Sequence, residues 1–187
     1  MGTATWSARG SRSAVAVGVV MAGVLVLLAT GSAAQPRPGQ SLMLGRDRTT
    51  TCVLASTVPG EAVVFGGDLV ENVGRLSVTL TSVALHEPDG LALREAHLMP
   101  LDESTRELVG YRHERNMSDL PTEWERRVPA AGVRIAPGER FNVVAVVDGI
   151  GAGLASAEGL TFAYTVGDER FAQTSASAMQ VADGPCR

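Results

Sequence analysis

The residues of this chain best suited to chemistry are a histidine and a methionine two positions apart, His97 and Met99. Because side chains two apart on a β-strand project from the same face, the imidazole and the thioether would lie side by side. That ligand pair suits copper, and His86, His113 and Met117 could add ligands if the fold brought them near. The competing interpretation gives His97 a solvent-facing or strand-edge position and Met99 a packing role.

The tripeptide His97-Leu98-Met99 also resembles one found in the PCuAC family of secreted copper chaperones. The resemblance covers these three residues, and the upstream His and Met partners of that family are not found at matching distances. It implies an immunoglobulin-like sandwich that binds or delivers copper through His97 and Met99. Copper binding is therefore the alternative functional hypothesis.

Other catalytic patterns are absent from the sequence. It contains neither the G-x-S-x-G elbow of serine esterases nor the H-E-x-x-H helix of zinc proteases. All 16 basic residues are arginine, which excludes Schiff-base lysines, a Ser-Lys dyad and a P-loop lysine. Gly149, Gly151 and Gly153 follow an apolar strand, but Leu154 stands where a dinucleotide-binding turn needs glycine, so we expect a connecting loop that could bind a partner. We expect no enzyme and no cofactor.

The N-terminus predicts export from the cytoplasm. Residues 14–34 form an uncharged apolar run behind Arg9 and Arg12, and the run ends in small residues. Residues 1–34 are therefore a signal peptide or a single-pass membrane anchor. Either interpretation places residues 35–187 on the outer side, secreted or held at the cell membrane, with membrane contact only through residues 14–34 if they stay uncleaved.

The two cysteines and the charge fit that location. Cys52 and Cys186 are the only cysteines, and a disulfide between them would persist in an oxidising compartment. Such a bridge would contribute about 4–5 kcal/mol in the chain-entropy model. The net charge of −4 and the lack of a basic stripe argue against a nucleic-acid partner.

Residues 35–49 predict a flexible linker. Residues 50–187 predict an all-β domain, an immunoglobulin-like antiparallel β-sandwich, because short runs of alternating apolar and polar residues are separated by Gly, Pro and Asp turns. Residues 62–65 predict a strand that ends at a glycine pair, and residues 91–101 a strand paired with the one before the turn at 88–90. A β-bulge is expected at 81–82. Residues 141–147 are apolar on both faces, as in a central strand. A two-residue hairpin loop at 167–168 would set Tyr164 opposite Phe171.

The charged segment 112–127 breaks this pattern and predicts a long loop with a short helical turn after Leu120. Its Trp124 would be an exposed partner-binding anchor, or would fold back and cap the sandwich. The candidate partner-binding residues are Trp124, Arg112, Arg115, Arg126 and Arg127. The sequence therefore predicts an extracytoplasmic, non-enzymatic binding or accessory module of the cell envelope, with a protein partner.

Overall fold

The computed structural model describes residues 36–45, 48–58, 60–101, 108–119, 124–149 and 153–186. The predicted signal or anchor at 1–34 lies outside the described residues. In the part of the chain that is described, no helix is both long enough and apolar enough to cross a membrane.

The described residues form an all-β fold, as predicted, with one 3₁₀ helix at Glu114–Asp119. The strands in chain order are β1 Arg37–Pro38, β2 Leu42–Leu44, β3 Thr50–Leu54, β4 Val63–Asn72, β5 Val78–His86, β6 Leu91–Pro100, β7 Gly110–His113, β8 Val128–Pro129, β9 Arg134–Ile135, β10 Arg140–Gly149, β11 Leu154–Ala157, β12 Gly159–Val166, β13 Glu169–Thr174 and β14 Ala178–Ala182.

These strands form three sheets. A five-stranded sheet has the order β1-β13-β12-β5-β9, a six-stranded sheet the order β2-β4-β10-β6-β8 with β7 beside β4, and a three-stranded sheet the order β11-β14-β3. The pairs β1–β13 and β3–β14 are parallel. The prediction of a purely antiparallel sandwich is therefore wrong at these two pairs, because strands near the two ends of the domain lie side by side in the same direction.

One apolar core joins the three sheets, which gives a sandwich-like arrangement. Leu80 and Phe162 enter it from the five-stranded sheet, Val143 from the six-stranded sheet, and Met179 and Val181 from the three-stranded sheet. All five side chains are buried. Valine, leucine and alanine supply most of this core, since the whole chain has few aromatic residues.

Strand β10 is the centre of the six-stranded sheet, which confirms the prediction from its two apolar faces. It pairs with β4 on one side and β6 on the other. Val143, Ala145 and Val147 face the main core, while Val144 and Val146 belong to a second buried cluster. A sheet whose central strand is apolar on both faces needs cover on both sides.

The two most local predictions are confirmed. Gly167 and Asp168 connect β12 to β13, and Tyr164 lies opposite Phe171 with 5.6 Å between the ring centroids. The register between β12 and β5 shifts opposite Thr81, where a bulge was expected. The sequence reports both features because each leaves a local pattern, a two-residue turn for the hairpin and a change of alternation phase along β5 for the bulge.

Strand pairing across the turn at 88–90 differs from the prediction. Strands β5 and β6 follow one another in the chain but lie in different sheets. The strand predicted at 62–65 also continues past Gly66 and Gly67 to Asn72, with its register to β10 shifting opposite the glycines. Glycine tolerates such a bulge in a strand instead of ending it.

The bulge in β4 leaves carbonyl groups that a buried side chain satisfies. Asn142 of β10 donates through Nδ2 to the carbonyl oxygens of Gly66 and Asp68, each at 2.8 Å. Its Oδ1 accepts a hydrogen bond from the backbone amide of Val109 at 2.9 Å. One fully buried amide therefore fixes both the bulge and the segment that approaches the outer face of the six-stranded sheet.

The predicted disulfide is present. Cys52 and Cys186 are bonded, with 5.9 Å between their Cα atoms and a separation of 134 residues along the chain. Cys52 lies in β3, which pairs with β14 shortly before Cys186. The bridge therefore reinforces a parallel pair that joins distant parts of the chain.

The linker predicted at 35–49 requires a correction, because part of it is folded. Strand β1 pairs with β13 and β2 pairs with β4, and Leu42 and Leu44 are buried in the main core. Prolines and glycines around this segment favoured a linker in the sequence analysis, although Leu42 and Leu44 are two positions apart and share one face of a short strand. The fold therefore begins before Thr50.

Gly39 supplies a test of that correction. A Cβ atom added at Gly39 would lie within 2 Å of the buried Tyr164 hydroxyl, so we expect Gly39→Ala to destabilise the protein by about 1–3 kcal/mol through overpacking. Gly184→Ala is the matched control, because nothing lies within 4 Å of its added Cβ. Equal unfolding midpoints in urea for the two variants would contradict the folded assignment of this segment.

A second test concerns Asp68, a carboxylate buried in the core of the sandwich. The Ser175 hydroxyl donates to its Oδ2 at 3.0 Å, and burial raises the pKa of Asp68. A raised folded-state pKa means that stability is lost as the pH rises through it, since the unfolded state ionises more easily. We expect the melting temperature of Asp68→Asn, minus that of the wild type, to increase between pH 4 and pH 8. A difference in melting temperature between the variant and the wild type that stays constant with pH would contradict the raised pKa of Asp68.

Candidate functional site

The outer face of the six-stranded sheet carries the predicted copper ligands. His97 and Met99 project to this face together, as strand geometry required, and both are buried. The ring nitrogen Nε2 of His97 lies 2.8 Å from Glu95 Oε2, and the His97 ring packs edge-on against Trp124 at 5.6 Å. Met99 and Met117 belong to the same apolar cluster. The contacts of these side chains are those of packing, and copper binding stays a prediction without support from them.

The remaining histidines do not join this cluster through any contact described. His113 lies in β7, beside Val63 of β4. His86 ends β5 in the five-stranded sheet, which is a different sheet from that of His97. Of the predicted additional ligands, only Met117 therefore shares the buried cluster with Met99.

Trp124 folds back onto the sheet, which is the second of the two positions predicted for it. It is half-buried against the cluster formed by Val64, Val144, Met99 and their neighbours. The Arg127 guanidinium stacks 4.0 Å from the centre of the indole, and its Nη1 donates to the Trp124 carbonyl at 2.8 Å. The indole therefore covers the outer face of the sheet, as a cap does.

The four arginines predicted with Trp124 take separate roles. Arg112 belongs to strand β7, so the predicted loop at 112–127 begins as strand, and its Nη2 donates to the Val109 carbonyl at 2.8 Å. Arg126 and Arg127 are half-buried next to Trp124 in the chain. Arg115 forms an ion pair with Glu61 at 2.8 Å. These contacts do not present the five residues as one free basic surface.

A charged groove lies where the ends of β3, β10 and β14 meet the starts of β4 and β11. Its volume is about 460 Å³. It is lined by Ala55, Ser56, Val58, Gly60, Glu61, Val63, Arg94, Asp148, Gly149, Gly153, Ala155, Val181 and Asp183. Gly149 and Gly153 bracket the glycine loop that the sequence singled out, and residues 150–152 of that loop lie outside the described residues.

Arg94 is the central cation of the groove. It is the extra residue of a β-bulge, because Val146 pairs with Glu95 and Val147 with Leu93. Its guanidinium donates from Nε to Asp148 at 3.1 Å, from Nη1 to Glu114 at 2.9 Å and from Nη2 to the Gly60 carbonyl at 3.0 Å. Hydrogen bonding to Asp148 raises the pKa of Arg94 further.

Glu61 forms the second charged centre of the groove. It accepts hydrogen bonds from the Ser56 hydroxyl, from the backbone amide of Arg115 at 3.1 Å and from the Arg115 guanidinium at 2.8 Å. The hydrogen bond from Ser56 is the largest cause of its lowered pKa, and the Arg115 contacts add to it. Glu61 is therefore a fixed carboxylate at neutral pH.

Three exposed apolar side chains belong to the elements that form this groove, and of these Val58 lines it. Leu54 and Leu154 are 52% and 59% exposed. Because side chains alternate along a strand, both leucines project from the face of the three-stranded sheet opposite to that of the groove residues Ala55 and Ala155. Val58 lines the groove and is 48% exposed. Leu54 and Leu154 both pair with Ala182 in one row across the three-stranded sheet, so they lie about 10 Å apart.

Sequence reasoning missed Arg94, Glu61 and the leucines. The one signal for Arg94 is its position as a cation inside an otherwise apolar strand pattern, Leu91-Ala92-Leu93-Arg94. A charged residue at such a position favours a bulge or an ion pair. No sequence signal identifies its partners Asp148 and Glu114, because the acceptors are 54 and 20 residues away.

The capping role of Trp124 can be tested by truncation. We expect Trp124→Ala to cost about 2–3 kcal/mol of unfolding free energy, less than a fully buried tryptophan, because the indole is half-buried. Leu76→Ala is the control, since Leu76 is 65% exposed and its loss should stay within about 0.5 kcal/mol. Indistinguishable denaturation curves for the two variants would show that the indole does not cap the sheet.

No protein-family model matches the chain, and its sequence matches no curated protein. Three solved structures resemble its fold distantly. The VesB protease of Vibrio cholerae matches at 12% identity and a TM-score of 0.38, over 76% of this chain. The chain spans only 32% of that protease.

The other two structures are matched over nearly their full length. The PapD-like domain 7 of human CEP192 matches at 11% identity and a TM-score of 0.37, over 82% of this chain and 92% of the domain. The N-terminal domain of PorA matches at 10% identity and a TM-score of 0.32, over 77% of this chain and 99% of the domain.

Proposed function

We propose that this chain is an extracytoplasmic, non-enzymatic binding or accessory module of the cell envelope, built on an immunoglobulin-like sandwich. The observation that carries the proposal is the exposed apolar row of Leu54 and Leu154 on the three-stranded sheet. The ends of the same strands line the charged groove around Arg94, which contains the exposed Val58. Exposed apolar side chains beside fixed charges are the composition from which protein interfaces are made.

The groove is suited to a folded or extended protein partner because its charges are held in place. Arg94 is fixed by three acceptor groups and Glu61 by two donor residues. Side chains that are ordered before binding lose little conformational entropy on association. The mixed signs of Arg94, Asp148 and Asp183 favour polar pairing with a partner over binding to a single strongly charged polymer.

The extracytoplasmic location rests on two independent features. The apolar run at 14–34 behind Arg9 and Arg12 has the organisation of an export signal or anchor, and the Cys52–Cys186 disulfide needs an oxidising compartment to persist. The disulfide supports export without distinguishing release from tethering, which the mass of the mature N-terminus determines.

The interface can be tested with the full chain as bait in its native envelope. We expect the double variant Leu54→Asp and Leu154→Asp to lose at least about tenfold of the recovered partner, since charges would replace the exposed apolar row of the three-stranded sheet. Leu76→Asp is the matched control, because Leu76 is the most exposed of the large apolar residues described and lies outside the groove. Quantitative affinity capture with mass spectrometry measures the recovery.

Two outcomes would contradict the proposal. Equal recovery of every co-purified protein by wild type, the double variant and the control would show that Leu54 and Leu154 do not contact a partner. Equal loss with Leu76→Asp and with the double variant would show an unspecific effect of surface charge.

A further inference from the structure

We propose that His86, Glu87 and Glu158 bind a divalent transition-metal ion, with Zn²⁺ as the best fit. One ligand atom from each side chain lies within 4.8 Å of the other two. The ligands of a tetrahedral zinc ion lie about 2.0–2.2 Å from the metal, so small rotations of exposed glutamate side chains are enough to close the site. The site is separate from the buried pair His97 and Met99.

The backbone holds the two halves of this site together. His86 is the last residue of β5 and pairs with Gly159, the first residue of β12. The amide of Glu158 donates to the His86 carbonyl at 2.8 Å. Glu158 and His86 are therefore neighbours in a fixed register, although they are far apart in the chain.

Glu87 reaches the same place through an unusual backbone conformation. Its φ of 46° makes it the only non-glycine residue with a positive φ in the described part of the chain. In a regular strand, consecutive side chains point to opposite faces. The left-handed turn at Glu87 ends that alternation and lets its carboxylate approach the His86 imidazole. Such a conformation is costly for a residue with a Cβ and is often found at functional positions.

The charge of the cluster points independently to a cation. Glu87 and Glu158 hold their carboxylates close together, and among the residues that the structure describes neither of them forms an ion pair. Two neighbouring carboxylates repel each other unless a proton or a cation lies between them. The imidazole of His86 next to them adds a nitrogen ligand to the two carboxylates.

The donor set and the surroundings favour zinc over magnesium or calcium. One imidazole nitrogen with two carboxylates is a zinc-type set, whereas magnesium and calcium take oxygen ligands. The hydroxyl of Thr161 lies 3.5 Å from Nδ1 of His86 and would orient the ring if Nε2 binds the ion. His86 and Glu158 also line a cavity of about 530 Å³, where water or a ligand could take the fourth position.

The three histidines of the chain make a direct test possible. They are His86, His97 and His113, so their ring resonances in an NMR spectrum of the full chain can be followed during titration with ZnCl₂. We expect one equivalent of Zn²⁺ to shift the His86 signals and to leave the other two unchanged. Isothermal titration should give one site per chain.

Matched variants separate coordination from general electrostatics. We expect Glu158→Gln and Glu87→Gln each to weaken Zn²⁺ binding at least tenfold, and His86→Gln to abolish it. Asp89→Asn removes an exposed negative charge beside the cluster without removing a ligand, and we expect it to bind Zn²⁺ as the wild type does. Circular dichroism of each variant monitors folding.

The proposal is overturned by any of three results. One is the absence of saturable Zn²⁺ binding to the wild type. Another is a titration in which His97 or His113 shifts while His86 does not. The third is an equal weakening by Glu158→Gln and Asp89→Asn, which would show attraction to negative charge in place of coordination.

Discussion

The two apolar faces of β10 impose the constraint on which the rest of this fold depends. A strand with valine on both sides cannot face water on either, so the six-stranded sheet has to be covered twice. The five- and three-stranded sheets cover one face with the main core. The other face is covered by Val109, Met117 and the indole of Trp124, which close a second cluster. That second cover makes the structure larger than two sheets packed face to face.

The same constraint explains why the charged segment cannot be a free loop. Its backbone is attached to the sheet by the buried amide of Asn142, which accepts from Val109 and donates to the bulged strand β4. Once the segment is attached, its charged side chains reach fixed partners: Arg115 pairs with Glu61, and Glu114 accepts a hydrogen bond from Arg94. The charged groove is thus a by-product of covering the sheet, and its residues are ordered by that packing.

Local chemistry could be predicted from the sequence, and long-range pairing could not. The hairpin at Gly167 and the bulge at Thr81 each leave a local signal in the sequence, a turn dipeptide and a change of alternation phase, and both were predicted. Alternation reports that a strand has a buried face without naming the sheet against which it packs, so β5 and β6 were paired wrongly. Leu42 and Leu44 were hidden because three residues of β2 are too few for a clear period. The partners of Arg94 are set by the register between distant strands. The same is true of the cluster of His86 and Glu158.

The disulfide gives the domain a property beyond thermodynamic stability. Cys52 and Cys186 are separated by 134 residues, and every connection from β4 to β14 lies between them. A protease that cuts one of these connections leaves both fragments covalently joined, and the strand ladders hold the cut ends in place. A nicked molecule would therefore keep its full mass until a reductant opens the bridge. The part of the chain between the two cysteines is in effect a closed ring, and a single cut within it does not release a piece of it.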